Sequence, residues 1–496
     1  MKRAATLFVC LLGLASCAKP PDVVHPSLDL DVPAEWNALT TKTSASNGEL
    51  TWWSEFDASD DEALGGLIVR VLERNHDLRS ASERVYAAAA TATAVGANSF
   101  PQISASSGAD RSRRNFIGLP VPGGGNVLTS RATSLNLTLR LDWELDVWGR
   151  LRAGQSASLA DLGAARAEIY AARLSLMGQA VRLWLRLAES KLQLKLARAT
   201  LESLRTTHDR IADRYARGLR PSLDVRLSDS SVSSAEANVE AREEEVARTT
   251  RQLEVLAGDY PSGSSNPETS LPETSPLLPN VVPAELVERR PDLAAAERRL
   301  AAAGARVDEA RRALYPRFSL TTSGGTSSSE LKDLVNGDFS VWTLAGNLTQ
   351  PIFQGGRLLA GLDLAESRER EILESYVQTA LNAYREVESA LAADEFLARR
   401  ESALLAATEH SRRARDLADD RYARGLSDIV TVLEAQRRAF DAERQWLLAR
   451  RLRLENRLDL HLALGGGYHS QHLDVSTPEE NASKMNSPET GPNDES

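Results

Sequence analysis

The sequence predicts an α+β membrane protein, two tandem copies of one unit in which bilayer-crossing β-hairpins continue into very long helices. Three observations carry that expectation. A run from Ser134 to Val147 alternates without exception between polar and apolar residues. Two segments, about 150–217 and 357–424, hold a helical period throughout. The second half of the chain also repeats the first. The composition of the 496 residues agrees: only 5% are aromatic, and Ala, Leu, Arg and Glu abound, which favours long helices over compact sandwiches. With 69 acidic against 59 basic side chains, a net charge of -10 speaks against a nucleic-acid partner. No window after the first twenty residues holds the unbroken apolar run that a spanning helix needs.

The duplication is read from a heptapeptide. Asp213-Arg-Tyr-Ala-Arg-Gly-Leu219 recurs as Asp420-Arg-Tyr-Ala-Arg-Gly-Leu426, an offset of 207. The same offset carries Gly149-Arg150-Leu151 onto Gly356-Arg357-Leu358, whereas Pro101 meets Pro316 at an offset of 215. The first copy is therefore eight residues longer between Pro101 and Gly149. Those residues are assigned to a loop, roughly Asp110 to Ser130, whose Arg111, Arg113 and Arg114 are either available to lipopolysaccharide or a solvated charge cluster.

The alternating run sorts its side chains onto two faces. Leu135, Leu137, Leu139, Leu141, Trp143, Leu145 and Val147 share one; Asn136, Thr138, Arg140, Asp142, Glu144 and Asp146 share the other. Trp342, Leu344 and Leu348 repeat the pattern in the second copy, and Ile103, Ala105, Phe318 and Leu320 echo it after the two prolines. Two β-hairpins follow, at about 101–148 and 316–354. The helical pattern after each hairpin carries two apolar stripes: Tyr170, Leu174, Met177, Val181, Trp184 and Ala188 beside Leu176, Ala180, Leu183, Leu187 and Leu194. Two stripes mean a helix packed on both flanks, as in a wall of helices. Gly218 and Gly425 end the long helices, and shorter helices return to about 257 and 464.

The N-terminus sets the compartment. Lys2 and Arg3 precede an apolar run, and Leu14-Ala15-Ser16-Cys17 resembles the bacterial lipobox. Residues 1–16 read as a signal peptide, Cys17 as the acylated mature N-terminus, and Ala18 after it as an outer-membrane address. The remaining division is a lipid-anchored and equatorial segment at 17–60, a first repeat at 61–258 and a connector rich in Pro, Ser and Thr at 259–283. A second repeat at 284–464 and a disordered tail at 465–496 complete it. Four strands of this length suit a tilted membrane sheet, yet four cannot close, and an open edge in lipid is costly. Two copies give eight strands and three give twelve. The competing reading is a soluble amphipathic hairpin packed on its own helices.

No enzymatic constellation is visible. The histidines (His25, His76, His208, His410, His461, His469, His472) are scattered, with no metal-ligand or nucleophile spacing. Gly123-Gly124-Gly125 lacks the strand–helix context of a phosphate loop. No cofactor or metal is expected.

Several motifs stand in the order of a known family: Trp52-Trp53-Ser54-Glu55-Phe56, Arg290-Pro291-Asp292-Leu293, Ala296-Glu297-Arg298-Arg299-Leu300, Tyr315-Pro316, Pro351-Ile352-Phe353, Gly355-Gly356-Arg357 and both Arg-Tyr-Ala-Arg-Gly-Leu turns. Over nearly the whole mature chain the sequence resembles the TolC/OprM-type outer-membrane efflux factors, in their NodT-like lipoprotein branch. The resemblance implies a homotrimer whose twelve-stranded outer-membrane β-barrel, four strands per chain, continues into a periplasmic α-helical coiled-coil barrel. It implies a passive exit duct, served by an inner-membrane pump of the RND type through a periplasmic adaptor. The rival is a periplasmic coiled-coil adaptor or structural lipoprotein, which the duplicated hairpins oppose.

The resemblance also assigns residues. Arg217, Gly218, Leu219, Arg424, Gly425 and Leu426 become adaptor-contacting turns, beyond their structural role as helix ends. Asp224 and Glu434 fall on acidic positions of a periplasmic gate, with Thr431 standing where another family acid is expected. In a threefold ring, like charges are expected to raise their pKa values. The alternative for Asp224 is a solvated acid in a helix first turn. Asn136, Thr138 and Arg140 face the pore, and outer-membrane lipid meets the leucine face.

Overall fold

The structure is a computed structural model describing residues 52–57, 63–116, 128–265 and 286–467, with shorter pieces at 21, 33, 36, 267, 270–273 and 283. The signal segment, Cys17, the stretch between Phe116 and Leu128, parts of the connector and the tail beyond 467 lie outside the described residues. Helices α1 (Ala63–Arg74) and α2 (His76–Ala97) lead into strands β1 (Gln102–Phe116) and β2 (Leu128–Leu145), then α3 (Arg150–Ala216) and α4 (Ser222–Leu256). After the connector and a single helical turn come α5 (Pro291–Arg312), β3 (Arg317–Ser328), β4 (Ser340–Thr349), α6 (Arg357–Ala423) and α7 (Ile429–Ala463). Both long helices have 67 residues and both returning helices 35, so the duplication holds to the residue in the helical part.

The chain divides into two compact units. The first contains Val85–Ala165 and Ala296–Tyr376, including all four strands. They form one antiparallel sheet in the order β1-β2-β3-β4. The register keeps the two faces separate across every strand. Leu141 pairs with Ile103 and Thr322, Leu139 with Ala105 and Gly324, and Thr322 with Leu344. One face thus carries the leucine run with Ile103, Ala105, Phe318, Leu320, Trp342, Leu344 and Leu348. The alternation stops at Leu145, two residues sooner than its pattern, because Asp146 turns back to accept from the backbone N–H groups of Leu151 (3.1 Å) and Arg152 (2.9 Å). It satisfies free donors at the start of α3.

The extra length of the first copy is not in a loop. Eleven residues separate the strands in each hairpin (117–127 and 329–339), while β1 and β2 have 15 and 18 residues against 12 and 10 in β3 and β4. Arg111, Arg113 and Arg114 therefore lie on β1 and not on a loop. Pairing of β1 with β2 runs out to Phe116 and Leu128, whereas β2 leaves β3 at Leu135. Backbone pairing favours extending a strand wherever a partner can follow, and the outer part of the period-two pattern was too polar to reveal it.

The second unit contains Ser27–Arg84, Arg166–Ala295 and Val377–Ser496. Its main core gathers both stripes of α3: Val181, Trp184 and Ala188 from one, Leu176, Ala180 and Leu187 from the other. Against them pack Leu64, Leu67, Ile68 and Val71 of α1, Leu253 of α4 and Leu454 and Leu458 of α7. Trp52 and Phe56, in a short 3-10 turn at Trp52–Phe56, close this core. His461 stacks on Trp52 with ring centroids 5.7 Å apart, and its Nε2 meets Glu55 Oε2 at 3.0 Å; Glu55 also pairs with buried Arg457. The Trp-Trp-Ser-Glu-Phe motif is thus a plug that ties the N-terminal segment to α7. The Arg290-Pro291-Asp292 motif starts a helix. Pro291 occupies the first helical position, where its missing N–H costs nothing. Arg290 is buried, binding Asp292 (2.7 Å), Glu386 (2.8 Å) and the Ala463 carbonyl (3.1 Å).

Candidate functional site: the helical turns and the polar strand face

The two repeated heptapeptides close their helices by the same geometry. Leu219 N–H donates to the Arg214 carbonyl at 2.9 Å and Gly218 N–H to that of Tyr215 at 2.8 Å. Leu426 and Gly425 repeat these bonds to Arg421 and Tyr422 at 2.9 and 3.0 Å. This is a Schellman end, and it needs a left-handed residue after the helix. Gly218 and Gly425 supply it, with φ of +74° and +79°. Arg217 and Arg424 fold back onto Asp213 and Asp420 at 2.8 and 2.9 Å. Leu219 and Leu426 are left 67% and 66% exposed, an apolar point on each turn.

Between the turns lies a cation–aromatic cluster that the sequence reading missed. Arg214 donates to the last carbonyls of α6, Tyr422 O (3.2 Å) and Ala423 O (3.0 Å), and lies 5.1 Å from the centre of the Tyr422 ring. Arg220 covers the same ring at 5.0 Å. The ring is buried with Ile211, Ala418, Ile429 and Val432. A cation at a helix C-terminus and over an aromatic face is doubly favoured.

Asp224 is buried, in the first turn of α4, 4.0 Å from Arg220. Thr431 is exposed, and its backbone N–H donates to Asp428 Oδ1 at 2.7 Å, making Asp428 the N-cap of α7. Thr431 holds the Asp428 carboxyl below the usual carboxylate range, through its backbone N–H first and its hydroxyl second. An acid thus stands three residues before Thr431. The pattern Asp-x-x-Thr before an apolar run could have revealed it. Hydrogen bonds from Arg437 and then Arg438 hold the Glu434 carboxyl below the usual carboxylate range within the single chain. Within one chain the two neighbouring guanidiniums dominate.

On the sheet, Asn136, Thr138 and Arg140 share the polar face. Arg140 binds Asp142 through two bonds of 2.7 and 2.9 Å, and Thr321 donates to the same carboxylate at 3.2 Å. Asn136 accepts from Ser327 at 2.8 Å. Polar bonds thus run from strand to strand on this face, while Leu137 and Leu139 on the other are exposed.

A profile described as outer membrane efflux protein matches residues 67–259 and 282–466, nearly all of both repeats. The chain belongs to the outer membrane efflux protein family. It is 30% identical over 484 residues to the pyoverdine export outer membrane protein OpmQ of Pseudomonas putida, covering 95% of this chain and 98% of that one. It is 32% identical over 462 residues to outer membrane protein OprJ of Pseudomonas aeruginosa, covering 92% and 94%. Among solved structures, the outer-membrane channel OprN superposes with a TM-score of 0.81 at 28% identity, covering 91% of this chain and 99% of that one. Family membership gives the described elements their setting: the sheet is the outer-membrane portion of an efflux protein, and the helices are its periplasmic portion.

Proposed function

We propose that the chain is one third of a homotrimeric exit duct in a tripartite efflux system, anchored at Cys17 by lipid. The observation that carries the closed assembly is the sheet itself. Its order β1-β2-β3-β4 leaves β1 and β4 as edges, and in hydrocarbon each unpaired backbone group costs several kcal/mol. Joining β4 of one copy to β1 of the next removes every edge, and three copies make twelve strands. The duct is passive, so its cargo is whatever a pump delivers; relatives are named for pyoverdine export, toluene efflux and cation efflux.

A periplasmic adaptor, and through it an inner-membrane RND-type pump, meets the exposed turns at Arg217–Leu219 and Arg424–Leu426. Exposed Leu219 and Leu426 beside bare glycine backbone support that contact. The gate is formed by Asp224 and Glu434, with Asp428 taking the part that Thr431 lacks. Outer-membrane extraction followed by electrophoresis with and without heating tests the trimer: a species of three chains that collapses on heating is expected, and a monomer overturns it. Planar-bilayer recording tests the gate. Asp224→Ala with Glu434→Ala raises conductance and lowers cation selectivity; no change in either places the constriction elsewhere.

A further inference from the structure

The outward, apolar face of the sheet carries one charged feature. The four strands hold nine charged residues. Asp110, Arg114, Arg140, Asp142, Glu144 and Arg317 are on the polar face by register. The three on the leucine face are all arginines: Arg111 and Arg113 on β1 and Arg131 on β2. Arg113 is paired directly with Arg131, and Arg111 is two residues from Arg113 on the same side. Like charges placed opposite each other destabilise a strand pair. No acid shares that face, all three side chains are exposed, and none is bonded to a partner among the described residues. Among the described residues nothing supplies their counter-charge.

Its depth identifies the source. The apolar run from Leu135 to Leu145 spans ten residue steps, about 25 Å for a strand tilted about 40°, the height of an outer-membrane apolar band. Arg111 is level with Thr133 and Arg113 with Arg131, so the guanidiniums lie roughly 5–10 Å past the band, in the headgroup layer. This is the hairpin tip, opposite the strand ends that join α2 and α3. The second hairpin has only Thr326, Ser328 and Ser340 on that face near its tip, so the feature occurs once per chain.

We propose that Arg111, Arg113 and Arg131 form an outward-facing site for the phosphates of a phosphorylated glycolipid in the outer leaflet. The proposal rests on the channel reading above, with the hairpin tips outside. Three arginines share one strand face at the depth where phosphates lie, and each guanidinium fork matches two phosphate oxygens. Arg114, one residue away, faces the other side and takes no part; Arg131, not evident as a partner from sequence, completes the cluster.

The experiment compares full-length protein purified from outer membranes in mild detergent, scored by native mass spectrometry for retained glycolipid. Wild type retains glycolipid, Arg111→Gln with Arg113→Gln and Arg131→Gln loses it roughly tenfold, and Arg114→Gln matches wild type. Equal retention by the triple variant, or equal loss in Arg114→Gln, overturns the proposal. Should the triple variant not assemble, wild type alone decides, in phosphatidylcholine vesicles doped with intact or dephosphorylated lipid A. Roughly tenfold weaker binding of the dephosphorylated lipid supports the site, and equal binding overturns it. Displacement of lipid A by millimolar inorganic phosphate would identify a free-anion site and also overturn it. Absence of wild-type protein from the outer membrane would sink the channel reading instead, which fractionation reports separately.

Discussion

Tyr215 and Tyr422 occupy the same position in two identical heptapeptides, yet one is 48% exposed and the other 4%. The difference arises because Arg214 and Arg220 of the first copy close over the ring of the second. Duplication supplied two equal turns, and packing within one chain made only one of them a keystone. Tyr422→Ala therefore removes a buried ring and two cation contacts, a loss of about 3 kcal/mol. Tyr215→Ala changes stability by about 0.5 kcal/mol or less. Thermal melting of the helical signal in detergent measures both, and equal shifts would contradict the asymmetry.

The register fixes what each strand position tolerates. Leu139→Arg puts a charge on the apolar face mid-strand and costs about 2–4 kcal/mol, whereas Thr138→Arg on the polar face costs far less. The readout is the yield of assembled protein in the outer membrane. Equal yields for the two variants would mean that the strand or its register is wrong.

At the turns, strain and contact can be separated. Nothing lies within 4 Å of a Cβ added at Gly218 or Gly425, so only the left-handed backbone resists substitution. Asn accepts that conformation better than β-branched residues do. Gly218→Asn leaves assembled protein intact, Gly218→Val lowers its melting temperature, and Gly218→Asp or Gly425→Asp abolishes efflux with assembly retained. Full efflux by an assembled Gly425→Asp protein would remove the turns from the adaptor contact.

Much of this is legible in the sequence, and for a physical reason. Leu135–Leu145 and the stripes through Trp184 are periodic, and periodicity reports which side of an element meets an apolar medium. The Arg214–Tyr422 contact is not periodic: it joins residues 208 apart, and nothing in Asp-Arg-Tyr-Ala-Arg-Gly-Leu says which copy's ring will be covered. The length of β1 was hidden likewise. Ser, Arg and Asn are poor strand formers, and they pair here because β2 runs beside them.

Glu254 carries a pH dependence. The backbone N–H groups of Gly263 (2.7 Å) and Ser265 (3.0 Å) donate to its carboxylate and hold it below the usual glutamate range. A folded pKa below the unfolded one stabilises above the ordinary value, and that contribution is lost as pH falls through the depressed folded value. Proteolysis of the connector in wild type should rise only below about pH 4. In Glu254→Gln it should already be raised at neutral pH and change little with acid. Matching pH profiles would show that the carboxylate does not hold the connector.

The unequal hairpins bear on how the pore meets the outside world. Residues Leu128–Ser134 of β2, with their β1 partners, rise past the last pair made by β3. Repeated three times around a closed wall, that excess makes a battlement: three upright merlons of double strand, separated by three low crenels. A particle resting on the merlons leaves the crenels open, so a solute could still escape sideways beneath it. Plugging this mouth takes an object shaped to the notches, and a flat lid does not suffice.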